Sequence, residues 1–196
     1  MRLLLLTLIV APVFAQTAAC VIKENAVGPI HAGMTIRAAK AALPGTVFKQ
    51  TEEPGGGVGF FTVMRGAKRV MDLYPDQETG IKETSKIELI RVYDPDCSTE
   101  EGVHPGIPLI AVEGKFGHLK KLIVEQSEKR EYAQFETVPS WLEIQTGSGE
   151  AGLYQPGEFC TTNYTVKAVV ESLWVSHATT NKLLDGDEFC KAPPKI

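Results

Sequence analysis

Two short stretches of the chain place apolar residues at helical spacing. In the first stretch, Ile36, Ala39 and Leu43 fall on one face of a helix, because Ala39 and Leu43 follow Ile36 by three and seven positions. Thr35, just before this stretch, is a residue type that caps helix N-termini, and Pro44-Gly45 is typical of a helix end. We therefore predict a short amphipathic helix between these two signals.

The same pattern returns later in the chain. Leu109, Val112 and Phe116 repeat the apolar stripe with unchanged spacing, and Gly106 precedes them as Gly33 precedes the first stripe, 73 positions earlier. Helices this short are marginal on their own in water. The pattern therefore predicts two similar helices, each packed on a β-sheet.

Each predicted helix is followed by β-rich runs that turn residues separate. The runs after the first helix are TVFKQ, VGFFTVMR, RVMDLY and KIELIRVY, and those after the second are LKKLIVEQ, EYAQFE, WLEIQT and YTVKAVVESLWVSH. In the last run, Val166, Ala168, Val170, Ser172 and Trp174 alternate with more polar residues, which indicates an antiparallel strand with one buried face. Residues 119–132 also fit a helical period, so a helix stays open there, although we favour a strand and a turn.

These elements predict an α+β fold, in which short helices pack on one face of an antiparallel sheet or sheets. The repeated pattern predicts two similar helix-plus-meander units in tandem, residues 16–97 and residues 98–190. Their boundary falls in the segment DPDCSTEEGVHPG, and residues 191–196 are expected to form a loose tail.

Residues 1–15, MRLLLLTLIVAPVFA, read as a signal peptide. Arg2 precedes an apolar run that is too short for a membrane span, and Val13 and Ala15 form a small-residue cleavage site before Gln16. No later stretch is apolar enough to span a membrane. We therefore expect a periplasmic or secreted protein.

A second processing route stays open at TAAC, residues 17–20, which resembles the lipobox of bacterial lipoproteins. Cys20 would then be lipidated, and the protein would be an outer-membrane lipoprotein on the membrane surface. Thr17 stands where such motifs usually carry Leu, so we favour ordinary cleavage.

Charge and cysteine content limit the expected classes of partner and the expected cellular compartment. The net charge is −4, or −5 once Arg2 is removed, and no basic stripe is present, so nucleic acid is not an expected partner. An even number of cysteines in an oxidising compartment predicts disulfide bonds. Four cysteines allow three pairings, and we favour Cys20 with Cys97 and Cys160 with Cys190.

Four segments carry a resemblance to a known family. They are GFFTVMRG at 59–66, IELIRVYD at 87–94, GVHPGIPLIAVEGKFG at 102–117 and VKAVVESLWV at 166–175. In this order they resemble a family of enterobacterial envelope lipoproteins that are controlled by the envelope-stress sigma factor RpoE and carry a domain of unknown function. That resemblance implies an envelope location, and it implies no catalytic residues.

The Gly-Met-Thr helix pattern also resembles the repeat of two other folds, those of β-lactamase-inhibitor protein and of the outer-membrane-assembly lipoproteins. This second resemblance implies a helical segment on an antiparallel sheet whose face binds another protein. It is a likeness of fold and implies no specific function.

The sequence contains few candidate catalytic or metal-binding residues. The histidines are scattered, at His31, His104, His118 and His177, and no metal-binding spacing links them. Ser148 lies in a glycine turn without a nucleophile motif, and EEPGGGVG lacks the features of a phosphate-binding loop. The acidic segment DPDCSTEE departs from the calcium-loop pattern, so we interpret it as a solvated connector. We predict no cofactor, no metal site and no catalytic residue.

Three large aromatic residues are candidate partner-binding residues, because aromatic side chains are enriched where proteins grip partners. They are Trp141, Tyr154 and Trp174. The resulting hypothesis is an exported, uncharacterised envelope protein that binds an envelope partner or serves a structural role without catalysis. The alternative is a small periplasmic hydrolase or ligand-binding enzyme whose site assembles from distant residues.

Overall fold

The computed structural model describes residues 20–51, 59–76, 80–125, 129–176 and 190. The predicted signal peptide, His177 and the predicted tail at 191–196 lie outside these residues. The described residues contain two short α-helices, Ile36–Ala42 (α1) and Leu109–Phe116 (α2). None of the described helices is long and apolar enough to cross a membrane.

Thirteen β-strands make up most of the regular structure in the described residues. In chain order they are Cys20–Lys23 (β1), Ala26–Val27 (β2), Ile30–His31 (β3), Val47–Thr51 (β4), Phe60–Arg65 (β5), Lys68–Pro75 (β6), Ile87–Val92 (β7), Cys97–Thr99 (β8), Leu119–Glu125 (β9), Arg130–Phe135 (β10), Leu142–Gly147 (β11), Cys160–Thr161 (β12) and Ser172–Val175 (β13).

The predicted α+β class is wrong, because strands take 46% and helices only 11% of the described residues. The helices are seven and eight residues long, about two turns each, so they contribute a few buried side chains rather than a layer over a sheet. The β-rich runs between them form strands almost throughout. The part of the chain that the structure describes is therefore mostly β and forms two sheets.

The larger sheet has nine strands in the order β12-β9-β10-β11-β13-β7-β6-β5-β4. Its pairings are antiparallel, and the strands that follow α1 lie on one side of the β13–β7 pair while those that follow α2 lie on the other. In this central pair, Leu173 lies opposite Val92 and Trp174 lies opposite Arg91. Strands of both predicted units therefore form one continuous sheet.

The smaller sheet has the order β3-β2-β1-β8. Strands β1 and β8 are parallel, and Cys20 lies opposite Cys97, to which it is disulfide-bonded with a Cα–Cα distance of 4.5 Å. The second disulfide joins Cys160 to Cys190. The predicted disulfide bonds are therefore present, in the pairs that the sequence analysis favours.

The hydrophobic core lies on one face of the nine-stranded sheet. Val63, Leu73, Ile90 and Leu173 alternate toward it from four strands, and it also contains the buried residues of both helices and of the smaller sheet. Because side chains alternate along a strand, the intervening residues point to the opposite face of the sheet. A second, smaller cluster lies there, formed by Phe60, Tyr74, Tyr132 and Trp174.

The two helices begin in a similar way. The N–H of Gly33 donates to the carbonyl of Ile87 at 2.7 Å, and the N–H of Gly106 donates to the carbonyl of Val170 at 2.7 Å. Both glycines have positive φ, 81° and 88°. Thr35 caps α1 by accepting a hydrogen bond from the Ala38 N–H, as the sequence predicts.

Two of the predicted runs fold differently in part. Residues 119–125 form β9 and residues 130–132 begin β10, so the open helical alternative is wrong. Within the described residues 164–176, the predicted strand forms only at Ser172–Val175, and Val166 is 96% exposed. The reason is that this segment pairs with the approach to α2 instead, since the Leu109 N–H donates to the carbonyl of Ala168.

Candidate functional site

The face of the nine-stranded sheet opposite the core carries alternating aromatic and arginine side chains. We call this series the arginine–aromatic ladder, and its members in order are Phe60, Arg69, Tyr93, Arg91, Trp174 and Arg130. They come from strands β5, β6, β7, β13 and β10 and from the residue after β7. The ladder therefore runs across the strands and joins both halves of the sheet.

The first half of the ladder is centred on Arg69. Its Cζ lies 4.2 Å from the ring centroid of Tyr93 and 5.9 Å from that of Phe60. Its guanidinium also donates two hydrogen bonds to Asp72, which is fully buried. Burial alone would lower the pKa of Arg69, but the hydrogen bonds and charge of Asp72 outweigh it, so the pKa of Arg69 is raised.

Tyr93 joins the two halves. Its hydroxyl donates to Asp72 at 3.0 Å, and its ring lies between Arg69 and Arg91. Burial raises the pKa of the Tyr93 phenol, and the nearby carboxylate adds to this while the two arginines oppose it. The phenol therefore stays neutral and keeps its hydrogen bond well above neutral pH.

The second half of the ladder is centred on Trp174. The Cζ of Arg91 lies 4.8 Å from its ring centroid, and the Cζ of Arg130 lies 5.1 Å from it. Arg91 also lies 4.7 Å from the Tyr93 centroid, so its guanidinium contacts two aromatic rings. Such cation–π contacts contribute about 0.5–2 kcal/mol each, and more as they are desolvated.

Polar partners fix the orientation of these groups. The Arg91 Nε donates to Ser172 at 3.0 Å, and its Nη2 lies 3.6 Å from Glu171. The indole N–H of Trp174 donates to the buried Gln145 at 2.9 Å. Both planar side chains are therefore held in one orientation before any partner arrives.

Aromatic packing completes the surface. Phe60 stacks on Tyr74 with centroids 4.9 Å apart, and Tyr74 lies 5.3 Å from Trp174. These rings are only 5–8% exposed and Arg91 is 9% exposed, so the groups of the ladder that reach solvent are mainly the guanidiniums of Arg69 and Arg130. The face therefore offers guanidinium groups that are held rigidly over buried aromatic rings, and arginine is among the residues that dominate binding energy at protein interfaces.

The three candidate aromatic residues lie in different places. Trp141 is half-buried against the core, as is Tyr154, whose hydroxyl donates to the buried Glu131 at 2.7 Å. Burial and the Glu131 carboxylate raise the pKa of Tyr154. Of the three candidates, Trp174 belongs to the ladder, and partner binding by each of them stays a prediction.

The acidic connector is less solvated than the sequence suggests. Asp94 is 1% exposed and accepts hydrogen bonds from Lys68 at 2.7 Å, Arg65 at 3.3 Å and the Asp96 N–H at 3.2 Å. Burial alone would raise the pKa of Asp94, but Lys68 and the Asp96 amide outweigh it and the pKa is lowered. Asp94 is therefore an ion-pair anchor of the β5–β6 hairpin rather than a solvated side chain.

The histidines that the structure describes serve local roles where their contacts are defined. The Nδ1 of His31 lies 2.9 Å from the Ala32 carbonyl, and that of His104 lies 2.9 Å from the Pro105 carbonyl. Within the described ranges, no group of three or more His, Cys, Asp or Glu side chains could hold a metal ion.

Sequence reasoning missed the arginines of the ladder. A signal was present, because Phe60 with Thr62, Asp72 with Tyr74, and Ser172 with Trp174 place aromatic and polar residues two positions apart on the same strand face. The signal became informative only with the strand order, which brings Arg91 of β7 beside Trp174 of β13 although they are far apart in sequence.

Comparison with known proteins supports the fold. No protein-family model matches the chain, and no curated protein matches its sequence. Among solved structures, the chain is similar to the uncharacterized protein YfeY from Escherichia coli, with a TM-score of 0.53 and 21% identity. The match covers 79% of this chain and 97% of that one. The likeness shows a shared fold and is consistent with the resemblance to an uncharacterised enterobacterial family.

Proposed function

We propose that this chain is an exported bacterial envelope protein that works by binding a partner rather than by catalysis, and that the arginine–aromatic ladder is its contact surface. The observation that carries the proposal is the ladder itself. Arginine, tryptophan and tyrosine are the residues most enriched at binding hot spots, and here they are fixed in place before binding.

The compartment is supported by cysteine chemistry. Disulfides persist in oxidising, extracytoplasmic spaces, and the described residues contain no free cysteine. Lipidation of a lipoprotein cysteine uses its thiol sulfur, and the Cys20 sulfur is bonded to Cys97. This favours a periplasmic or secreted protein cleaved before Gln16 over a lipoprotein anchored at Cys20, and the intact mass of the mature protein distinguishes the two.

The tandem organisation, residues 16–97 and 98–190, belongs to the same proposal. It is supported by the matched entry of Gly33 and Gly106 into the two helices, with equal hydrogen-bond lengths and similar positive φ. An added Cβ would meet no atom within 4 Å at either glycine, so alanine at either site adds backbone strain alone. Gly33→Ala and Gly106→Ala should therefore destabilise the protein by about the same amount, about 1–2 kcal/mol. Clearly unequal losses would count against two equivalent units.

The binding role is tested by capture with matched variants. Tagged mature protein is incubated with envelope extract as wild type, as Arg91→Ala and as Arg37→Ala, and the retained proteins are quantified by mass spectrometry. Arg37 is the control because its side chain is 71% exposed on α1 and pairs with Glu83 at 3.7 Å. We expect a partner that wild type and Arg37→Ala retain and that Arg91→Ala retains at least about tenfold less.

Equal retention by all three proteins, or no protein above the empty resin, would contradict the proposal. Urea unfolding first checks that Arg91→Ala is folded. If it is not, Arg130→Ala replaces it, because Arg130 lies at the end of the ladder and is less buried than Arg91.

A further inference from the structure

The nine-stranded sheet has two unlike ends. At one end, β12 is only two residues long and is tied by the disulfide between Cys160 and Cys190. At the other end, β4 is a five-residue strand that pairs with β5 along its whole length, from Val47 opposite Met64 to Thr51 opposite Phe60. In the part of the chain that the structure describes, the strand order ends at β4.

The end at β12 shows how such an edge is filled in this fold. Strand β9 is the first strand after α2, as β4 is the first strand after α1. Strand β12 lies antiparallel on β9, with Cys160 opposite Ile123 and Thr161 opposite Leu122, and the Val124 N–H donates to the carbonyl of Phe159 at 2.8 Å. The corresponding strand β4 has its inner neighbour, β5, but no such outer strand among the described residues.

Strand β4 is weakly protected against pairing. Soluble proteins blunt long edge strands with bulges, prolines or charges, because the backbone groups of an open edge can pair with another chain. The pairing of β4 with β5 is regular, the strand contains no proline, and its one charged residue is Lys49. Val47 is 55% exposed.

We propose that β4 binds an extended segment of a partner protein as an additional antiparallel strand. The proposal rests on the binding role proposed above but assigns a second surface, distinct from the ladder. The added strand would occupy at β4 the position that β12 occupies at β9. Backbone hydrogen bonds supply affinity in this mode of recognition, and the alternating side chains supply specificity.

The chemistry of β4 specifies the side chains of that segment. Lys49 is exposed and lies opposite Thr62, on the ladder side of the sheet. A carboxylate directly across from Lys49 gives a favourable cross-strand pair. Phe48 points to the other side and packs against the core, so it favours an apolar neighbour. The segment therefore carries an acidic residue opposite Lys49 and an apolar residue opposite Phe48.

The positive charge of Lys49 argues against a second copy of this chain as the occupant of the β4 edge. An antiparallel alignment of β4 on β4 that pairs all five residues places Lys49 opposite Lys49 of the other copy. Like charges directly opposite one another destabilise strand pairing. The occupant we assign is therefore an acidic segment of a different protein.

The experiment uses two short peptides, Thr-Val-Val-Glu-Val-Val-Thr and the same peptide with Lys in place of Glu. Each is titrated into the full mature protein as wild type and as Lys49→Glu, and binding is read from backbone amide chemical shifts. The Glu peptide should bind wild type and shift the amides of Val47–Thr51, and Lys49→Glu should bind it about tenfold more weakly. The Lys peptide should show the reverse preference.

Matched variants separate this surface from the ladder. Lys120→Glu changes an exposed lysine of β9, a strand whose Leu122 and Ile123 already pair with β12, and should bind the Glu peptide as wild type does. Arg91→Ala should bind the Glu peptide with the same affinity as wild type. The peptide result therefore does not depend on the outcome of the capture experiment. The proposal is overturned if neither peptide binds, if the shifts fall outside β4, if Lys49→Glu has no effect, or if the protein dimerises through β4 instead.

Discussion

Glu131 provides a sharp test of the packing described above. Its carboxylate is fully buried, and it accepts hydrogen bonds from the Thr146 hydroxyl at 2.7 Å, the Ala151 N–H at 3.1 Å, the Gly152 N–H at 2.8 Å and the Tyr154 hydroxyl at 2.7 Å. Among the described residues no ion pair reaches it. The carboxylate therefore anchors the loop that follows β11 through three donors and contacts β11 itself through the fourth, Thr146.

The expected loss of stability follows from how the four donors are divided between the two carboxylate oxygens. One carboxylate oxygen accepts from Thr146 and the Ala151 N–H, and the other accepts from Tyr154 and the Gly152 N–H. In Glu131→Gln, one oxygen becomes an NH2 group. The hydroxyl on that side can rotate to accept from it, but the backbone N–H cannot. One buried amide then loses its acceptor, which costs about 1–3 kcal/mol.

Urea unfolding followed by tryptophan fluorescence measures the free energy of unfolding. Glu131→Gln should lower it by about 1–3 kcal/mol, and Glu131→Ala should lower it further because both backbone amides lose their acceptors. Glu136→Gln is the control, since Glu136 is exposed and accepts a hydrogen bond from the His118 N–H; it should change stability by less than about 0.5 kcal/mol. A Glu131→Gln protein as stable as the control would refute the reasoning.

Three further outcomes are expected. Replacing Cys20 and Cys97 together with serine should lower the free energy of unfolding by about 4 kcal/mol, because that disulfide closes a loop with a sequence separation of 77. Chemical denaturation of the oxidised parent and of the variant measures this loss. The lowered pKa of Asp94 means that its stabilising effect is present above the ordinary aspartate pKa and is lost as the pH falls through the lowered value, so Asp94→Asn should lose less stability than wild type between about pH 6 and about pH 3. The raised pKa of Tyr93 means that its phenolate absorbance should appear only above the ordinary tyrosine range near pH 10, and subtraction of the Tyr93→Phe titration curve isolates it.

The sequence predicts those parts of the fold that depend on near neighbours. The helical stripe at Ile36 and Ala39, the cap at Thr35 and the β-rich runs that correspond to β5, β6 and β7 are local patterns, so they identify the helices and most strands. Strands β2 and β3 are two residues long, too short to show a period. The predicted α+β class is wrong because it treats two-turn helices as a layer over the sheet.

The ladder depends on information that a single sequence does not contain. The contact between Arg91 and Trp174 exists because β13 lies beside β7, and the contact between Arg130 and Trp174 crosses β11 as well. Strand order is set by how the whole sheet buries its core face, not by residues near either side chain. The cysteine pairing was easier to predict from the sequence, because four cysteines allow only three pairings.

The central claim is that the ladder face of the nine-stranded sheet contacts the partner, and photocrosslinking in intact cells tests it most directly. A photoreactive amino acid is placed at Thr62, which is half-buried on the ladder face, or at Ile110, which is 64% exposed on α2. The account predicts an adduct with an envelope protein from position 62 that Arg91→Ala abolishes, and none from position 110. An adduct from position 110 alone, or one from position 62 that persists in Arg91→Ala, would contradict it.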